Sequence, residues 1–177
     1  MTAASTAKPK PALRRAPAPR AAEAEPAAAG FADLPGHYIR RLQQIAVAVF
    51  LEETEAFGIT PVQFAALDAV RSQPLLDQRT LARSIGFDTS TIAGVVDRLE
   101  RRGLLARNAS PEDRRVRLLS LTPEGEALLA RALPATLKAQ QRILAPLPAG
   151  DRARFMEMLK TLVQANNALS RAPSEDG

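Results

Sequence analysis

In the stretch 35–58, "PGHYIRRLQQIAVAVFLEETEAFG", Ile39, Leu42, Ile45, Ala46, Val49 and Phe50 recur three and four residues apart, which lines one face of a helix. Val47, Ala48 and Leu51 are apolar as well. The stripe is therefore wider than one core-facing seam needs, and it predicts a helix packed on its own domain and on a second surface, with Gly58 ending it. "TPVQ" at 60–63 predicts the next start: Thr60 as N-cap, Pro61 in the first helical position and Gln63 closing a capping box. Phe64, Leu67 and Val70 supply that helix's buried face, and Pro74 closes the segment. Asp77 then caps a short helix, "QRTLARSIG", with Leu81 and Ile85 inward and Gly86 as its stop. Asp88 caps "TSTIAGVVDRLERRG", which ends at Gly103.

After Gly103 the period shortens. Two apolar stretches, "LLAR" (104–107) and "VRLLSL" (116–121), flank the polar "NASPEDRR" and predict a β-hairpin with a long tip. Thr122–Pro123 opens a helix through Leu128, Leu129, Leu133 and Leu137, which Pro134 is expected to kink or divide. A last helix from about Asp151 carries Phe155, Leu159, Leu162 and Leu169. The fold class is mainly α with a small β-hairpin wing: a short helix, a tight turn at Gly86, a second helix and a hairpin describe a winged helix-turn-helix. Residues 1–30 are mostly Ala and Pro with scattered Lys and Arg, and cannot bury enough apolar area to offset ordering, so a disordered basic tail is expected there.

Composition narrows the chemistry. The 177 residues include one histidine, His37, and no cysteine, which excludes disulfides, thiolate metal sites and a thiol nucleophile. Without a Gly-rich phosphate loop or convincing paired carboxylates, nothing assembles a catalytic site, and neither cofactor nor metal is expected. No apolar run approaches the roughly 18–20 residues of a membrane span, and no signal sequence opens the chain. A cytoplasmic, nucleoid-associated protein without membrane contact is expected. Net charge is +5, but it is uneven: residues 31–78 sum to −3, while residues 79–117 carry nine Arg against five acidic residues. A basic block inside the folded region suits a polyanion partner.

The two faces of the helix at 88–102 sharpen this. Ile92, Val95, Val96 and Leu99 form a core face, and the opposite face reads Ser90, Ala93, Gly94, Asp97, Arg98 and Arg101. Gly94 in mid-helix costs about 1 kcal/mol relative to Ala, but small residues let the backbone approach another surface. Ser and Thr hydroxyls there can meet base edges or phosphates, free N–H groups at the helix start can meet a phosphate, and Arg98 and Arg101 can reach the DNA backbone or a guanine edge. In the hairpin, alternation puts Val116 and Leu118 on one face and Arg115 and Arg117 on the other, where a narrow minor groove attracts Arg. Asp113 can hold an arginine fork in place by a bidentate pair. The bland alternatives are an exposed amphipathic helix and a solvated charge run.

The run "TPVQFAALDAV…TLARSIGFDTSTIAGVVDRLERRGLLARNASPEDRRVRLLSLTPEGEALL" resembles the MarR family of bacterial transcription regulators. The resemblance rests on "VVDRLERRGLL", on the D-x-R of Asp113 and Arg115, and on the "LT-x-x-G" at 121–125. It implies a domain at 31–172, with dimerisation helices at about 31–57 and 122–170 and a winged helix-turn-helix lobe at about 60–121. The partners implied are promoter DNA carrying a pseudo-palindrome, half-sites about one turn apart, and a second copy of the chain. On matching positions, Ser90, Thr91, Gly94 and Arg98 face the major groove, Asp113 and Arg115 work the minor groove, Arg114 lies near phosphates, and Thr80 and Arg83 help fix the backbone. Many members release DNA when a small aromatic acid binds. The candidate site is "GHYIRR", with His37 and Tyr38 beside Arg40 or Arg41, since Arg pairs with a carboxylate and His hydrogen-bonds a ring substituent. His37 equally suits a capping or packing role, and Asp68 is a further candidate. The segment "PGHYIRRLQQIAVAVF…ITPVQFAAL" also resembles regulators of nicotinate or other aromatic-acid degradation. A ligand-independent winged-helix DNA-binding or protein-interaction module is the alternative.

Overall fold

A computed structural model describes residues 30–113 and 115–170; the expectations for Arg114 and for the tail before Gly30 lie outside the described residues. Its helices are α1 (Pro35–Glu53), α2 (Pro61–Ser72), α3 (Gln78–Ser84), α4 (Thr89–Arg101), α5 (Pro123–Leu144) and α6 (Ala149–Ala165), and its hairpin is β1 (Leu105–Ala109) and β2 (Arg117–Leu121). Short 3-10 turns lie at Phe31–Asp33, Glu55–Phe57 and Asn167–Leu169.

The caps read from the sequence are in place. Gln63 N–H donates to Thr60 Oγ1 at 3.3 Å and Thr60 N–H to Gln63 Oε1 at 3.0 Å, a reciprocal capping box that satisfies two orphan donors of α2. Asp77 and Asp88 cap α3 and α4. Gly58, Gly86 and Gly103 all adopt positive φ, the left-handed conformation glycine reaches without a Cβ penalty. α1 stops short of Gly58: the buried Thr54 donates its hydroxyl back to the Phe50 carbonyl at 2.7 Å, and a 3-10 turn completes the descent.

One core holds the middle of the chain together. Leu67 and Val70 of α2, Leu81 of α3, the four α4 residues Ile92, Val95, Val96 and Leu99, and Leu105 and Leu119 of the hairpin are all buried in one cluster with Leu129 of α5. Each such side chain is worth about 1.5–3 kcal/mol when removed from water, so the inner face is α4's main anchor. Phe64 is half-buried beside this core, its ring edge-on to Phe50 at 6.0 Å. The end of α1 is tied to α5 by ion pairs from Glu53 to Lys138 (2.9 Å) and Arg142 (2.5 Å), and from Glu52 to Arg142 (3.2 Å). Hydrogen bonds from those two cations hold the Glu53 carboxyl below its ordinary range.

Two features differ from the sequence reading and a third adds to it. α5 runs through Pro134 undivided. Pro134 is exposed, and Leu128, Leu129 and Ala132 before it are buried with Thr136 and Ala139 after it, so packing on one face offsets the roughly 3 kcal/mol a mid-helix proline costs. The wing also has a third member: Leu75 N–H donates to the Leu119 carbonyl, Leu119 N–H to the Leu76 carbonyl, and Asp77 bridges Leu118. Finally, no residue of α6 is buried within the chain: Leu162 is exposed, and Leu169, expected on this helix, lies beyond its end, exposed, in the last 3-10 turn. Ile39, Ile45 and Leu51 of α1 and Leu137 of α5 are exposed as well. Between α1, α5 and α6 lies an open apolar groove of about 560 Å³, lined by Ile39, Leu42, Ala46, Ile143, Leu144 and Phe155 among others. Among the described residues no helix is long and apolar enough to cross a membrane.

Candidate nucleic-acid interface

The core that fixes α4 turns its other face outward. In its first turn the Asp88 carboxylate accepts three hydrogen bonds: from Thr91 N–H (2.8 Å), from Thr91 Oγ1 (2.7 Å) and from Ser90 Oγ. Ser90 and Thr91 are exposed there, as the resemblance requires, yet their hydroxyl protons point to Asp88, so what they offer a groove is oxygen lone pairs. These donors, Ser90 first, hold the Asp88 carboxyl well below the usual carboxylate range. A depressed folded pKa means stability that is present above the ordinary value of 3.8 and is lost as pH falls below it. Asp77 adds to the same window, its carboxyl lowered chiefly by the Thr80 N–H it accepts at 2.7 Å. Acid titration of the melting temperature should therefore show a decline setting in near that pH, and an Asp88→Ala variant should show a shallower one; equal slopes would mean that Asp88 has no such role.

One turn along, the Arg98 guanidinium folds back over Gly94, its Nη1 3.4 Å from where a Cβ would stand. Gly94 thus leaves room for Arg98 to lie along the helix surface. Arg101 also folds back, its Nε donating to the Asp97 carbonyl at 3.2 Å. Thr80 sits half-buried at the start of α3 with its N–H on Asp77, and Arg83 is exposed in the last turn of that helix.

In the hairpin, Leu105 pairs with Leu121 and Ala109 with Arg117, leaving residues 110–116 as the tip. Arg115 and Arg117 are exposed while Val116 and Leu118 are half-buried, the alternation read from the sequence. Asp113 makes its described contacts within the tip. Among the described residues it holds no arginine fork; its Oδ1 accepts the Arg115 backbone N–H at 2.9 Å and its carbonyl accepts from Val116 at 2.9 Å. A short acidic side chain two residues before a donor closes an Asx turn more readily than it reaches a long guanidinium. The turn stiffens the tip and presents Arg115 outward.

Two arginines that sequence reasoning passed over do the fastening. Arg102 donates Nη1 to the Gly58 carbonyl (2.7 Å) and Nη2 to the Phe57 carbonyl (3.2 Å), clamping the end of α4 to the α1–α2 junction. Arg107 of β1 pairs with Asp97 (2.5 Å) and Glu100 of α4. The one available signal was the Asp97–Glu100 spacing of three, which puts both carboxylates on one helix face.

The effector candidates are only partly gathered. His37 packs edge-on against Phe31 (5.4 Å) and Tyr38 (5.8 Å) at the start of α1, half-buried, with its Nδ1 buried and without a hydrogen-bond partner among the described residues. Arg40 and Arg41 follow on the next turn, exposed. Asp68 lies elsewhere, on α2, its carboxylate held by Arg71 at 2.6 Å.

A family model described as the MarR family matches residues 59–116. The HTH-type transcriptional repressor NicR of Pseudomonas putida is 30% identical over 131 residues, which span 74% of this chain and 83% of that protein. Among solved structures, the PcaV transcriptional regulator of Streptomyces coelicolor in complex with its natural ligand superposes with a TM-score of 0.72 at 40% identity, covering 78% of this chain and 98% of PcaV. BpsR of Bordetella bronchiseptica, whose DNA binding is regulated by 6-hydroxynicotinic acid, superposes with a TM-score of 0.72 at 31% identity, covering 76% of this chain and 96% of that one.

Proposed function

This chain belongs to the MarR family of DNA-binding transcriptional regulators, and from that premise we propose that it acts as a homodimeric repressor of a pseudo-palindromic operator, released by a small aromatic carboxylate of the nicotinate type. The observation that carries the DNA half is the pairing of α4's outward face, with Gly94 and Arg98, to a stiffened wing whose Arg115 and Arg117 stand in solvent. α4 enters the major groove, Ser90, Thr91 and Arg98 facing the bases, while Arg115 reaches the flanking minor groove and Thr80 and Arg83 bear on the phosphates. The homodimer is supported by α6, which has no buried residue of its own, and by the exposed Ile39, Ile45 and Leu137 beside it. An apolar surface of that extent calls for a second copy, paired about a two-fold axis that the operator's symmetry mirrors.

The effector half rests on His37. A buried ring nitrogen with no partner leaves a hydrogen-bonding capacity that a ligand can fill, and Arg40 or Arg41 one turn on can pair with a carboxylate. BpsR, regulated by 6-hydroxynicotinic acid, is the relative that supports this chemistry. Titrating a preformed protein–DNA complex with nicotinate-like and benzoate-like acids tests it. The parent should release DNA with one of them, and His37→Ala should bind DNA equally well but resist release. Release of the variant at the parent's acid concentration would move the pocket away from His37, and indifference of the parent to every acid would favour a ligand-independent regulator.

A further inference from the structure

We infer that Arg107 is a positioning residue for DNA binding: it locks the wing onto α4 so that the two reach their grooves in register. The inference rests on the reading of the wing as a DNA contact. Arg107 lies on β1, paired in register with Leu119. Its Nη2 reaches Asp97 Oδ1 at 2.5 Å and Gln78 Oε1 at 3.4 Å, and its Nη1 reaches Glu100. One guanidinium therefore touches α3, α4 and the hairpin, the three elements that carry every candidate DNA contact described above. Its side chain is 23% exposed, while Arg115 and Arg117 on the same hairpin stand in solvent. Among the hairpin's described arginines the labour is thus divided, Arg107 facing α4 while Arg115 and Arg117 face outward. The planar fork suits this, because its two Nη atoms each meet a different carboxylate in a fixed geometry, whereas a lysine has a single nitrogen on a flexible stem to share between them.

Fluorescence anisotropy on the chain's own upstream promoter DNA tests the inference through a double-mutant cycle of Arg107→Gln and Arg115→Ala. Arg107→Gln alone should weaken operator binding by about tenfold, and by clearly less when Arg115 is already Ala, since the wing's groove-entering side chain is then already gone and only Arg117 remains to be misplaced. Additive losses would overturn the inference and leave Arg107 a fold-stabilising residue. A salt slope reduced by about one in Arg107→Gln would overturn it differently, by making Arg107 a phosphate contact. An unaltered affinity in Arg115→Ala alone would remove the wing from the interface and the inference with it. Should Arg107→Gln fail to fold, D97N/E100Q opens the same lock from the α4 side. It removes two negative charges, yet should lower the preference for operator over random DNA; an unchanged preference would count against the lock.

Discussion

Replacing Gly125 by Ala should destabilise the protein by about 3 kcal/mol, the upper range for forcing an extra methyl into a packed site. Gly125 lies buried in the first turn of α5, and a Cβ built there would stand 2.1 Å from the Leu104 carbonyl oxygen and 3.0 Å from its carbon. These are backbone atoms, so no side chain can swing aside. The position is also fixed from both ends. Thr122 Oγ1 donates to the Gly103 carbonyl at 2.6 Å and accepts the Gly125 N–H at 3.0 Å, while Thr122 N–H donates to the Leu104 carbonyl at 3.3 Å. The end of α4, the base of the wing and the start of α5 meet in this knot, which gives the "LT-x-x-G" motif its physical meaning. Denaturant unfolding checks it against Gly150→Ala, where nothing lies within 4 Å of the built Cβ. The control should be near neutral, and equal stability of the two variants would refute the close approach.

Arg115→Ala should weaken operator binding by about 1–3 kcal/mol while leaving the unfolding midpoint unchanged. The two halves of that expectation come from separate observations. Arg115 is exposed, and the bond it makes within the tip is through its backbone N–H to Asp113, which alanine keeps. Its guanidinium is therefore dispensable to the fold and free to enter a narrow groove, where concentrated negative potential favours it. The loss should be largest on operators with A·T-rich flanks, and a variant that binds such operators like the parent would remove Arg115 from the interface.

What the sequence made legible was the local punctuation. The Thr60–Gln63 box, the aspartate caps at 77 and 88, and the glycines at 58, 86 and 103 are short-range devices whose chemistry is complete within four residues. The four-residue inner face of α4 followed from periodicity alone and is buried as read. Features depending on distant partners were not legible. The segment at 75–77 is too short to show alternation, and Leu75 at its start adopts a φ of 66°, so only the β2 ladder reveals it as part of the wing. Pro134 reads as a break because its local cost is visible, whereas the packing of Ala132 and Thr136 that carries the helix across it is not. Also not legible were the bonds that Asp113, Ser90 and Thr91 make within the tip and the cap, where short polar side chains meet nearby N–H groups or a capping carboxylate. Arg107 shows in the sequence only as part of the basic block: the Asp97–Glu100 spacing marks one helix face, but nothing local names a partner ten residues away.

The most direct test of the central claim is fluorescence anisotropy of the full chain on its own upstream promoter DNA across a salt series, beside a random duplex of equal length. The account predicts tight operator binding that falls steeply with salt, as several arginine–phosphate contacts require, and a preference over random DNA of at least about a thousandfold. Equal, weak binding to both duplexes at every salt concentration would contradict it.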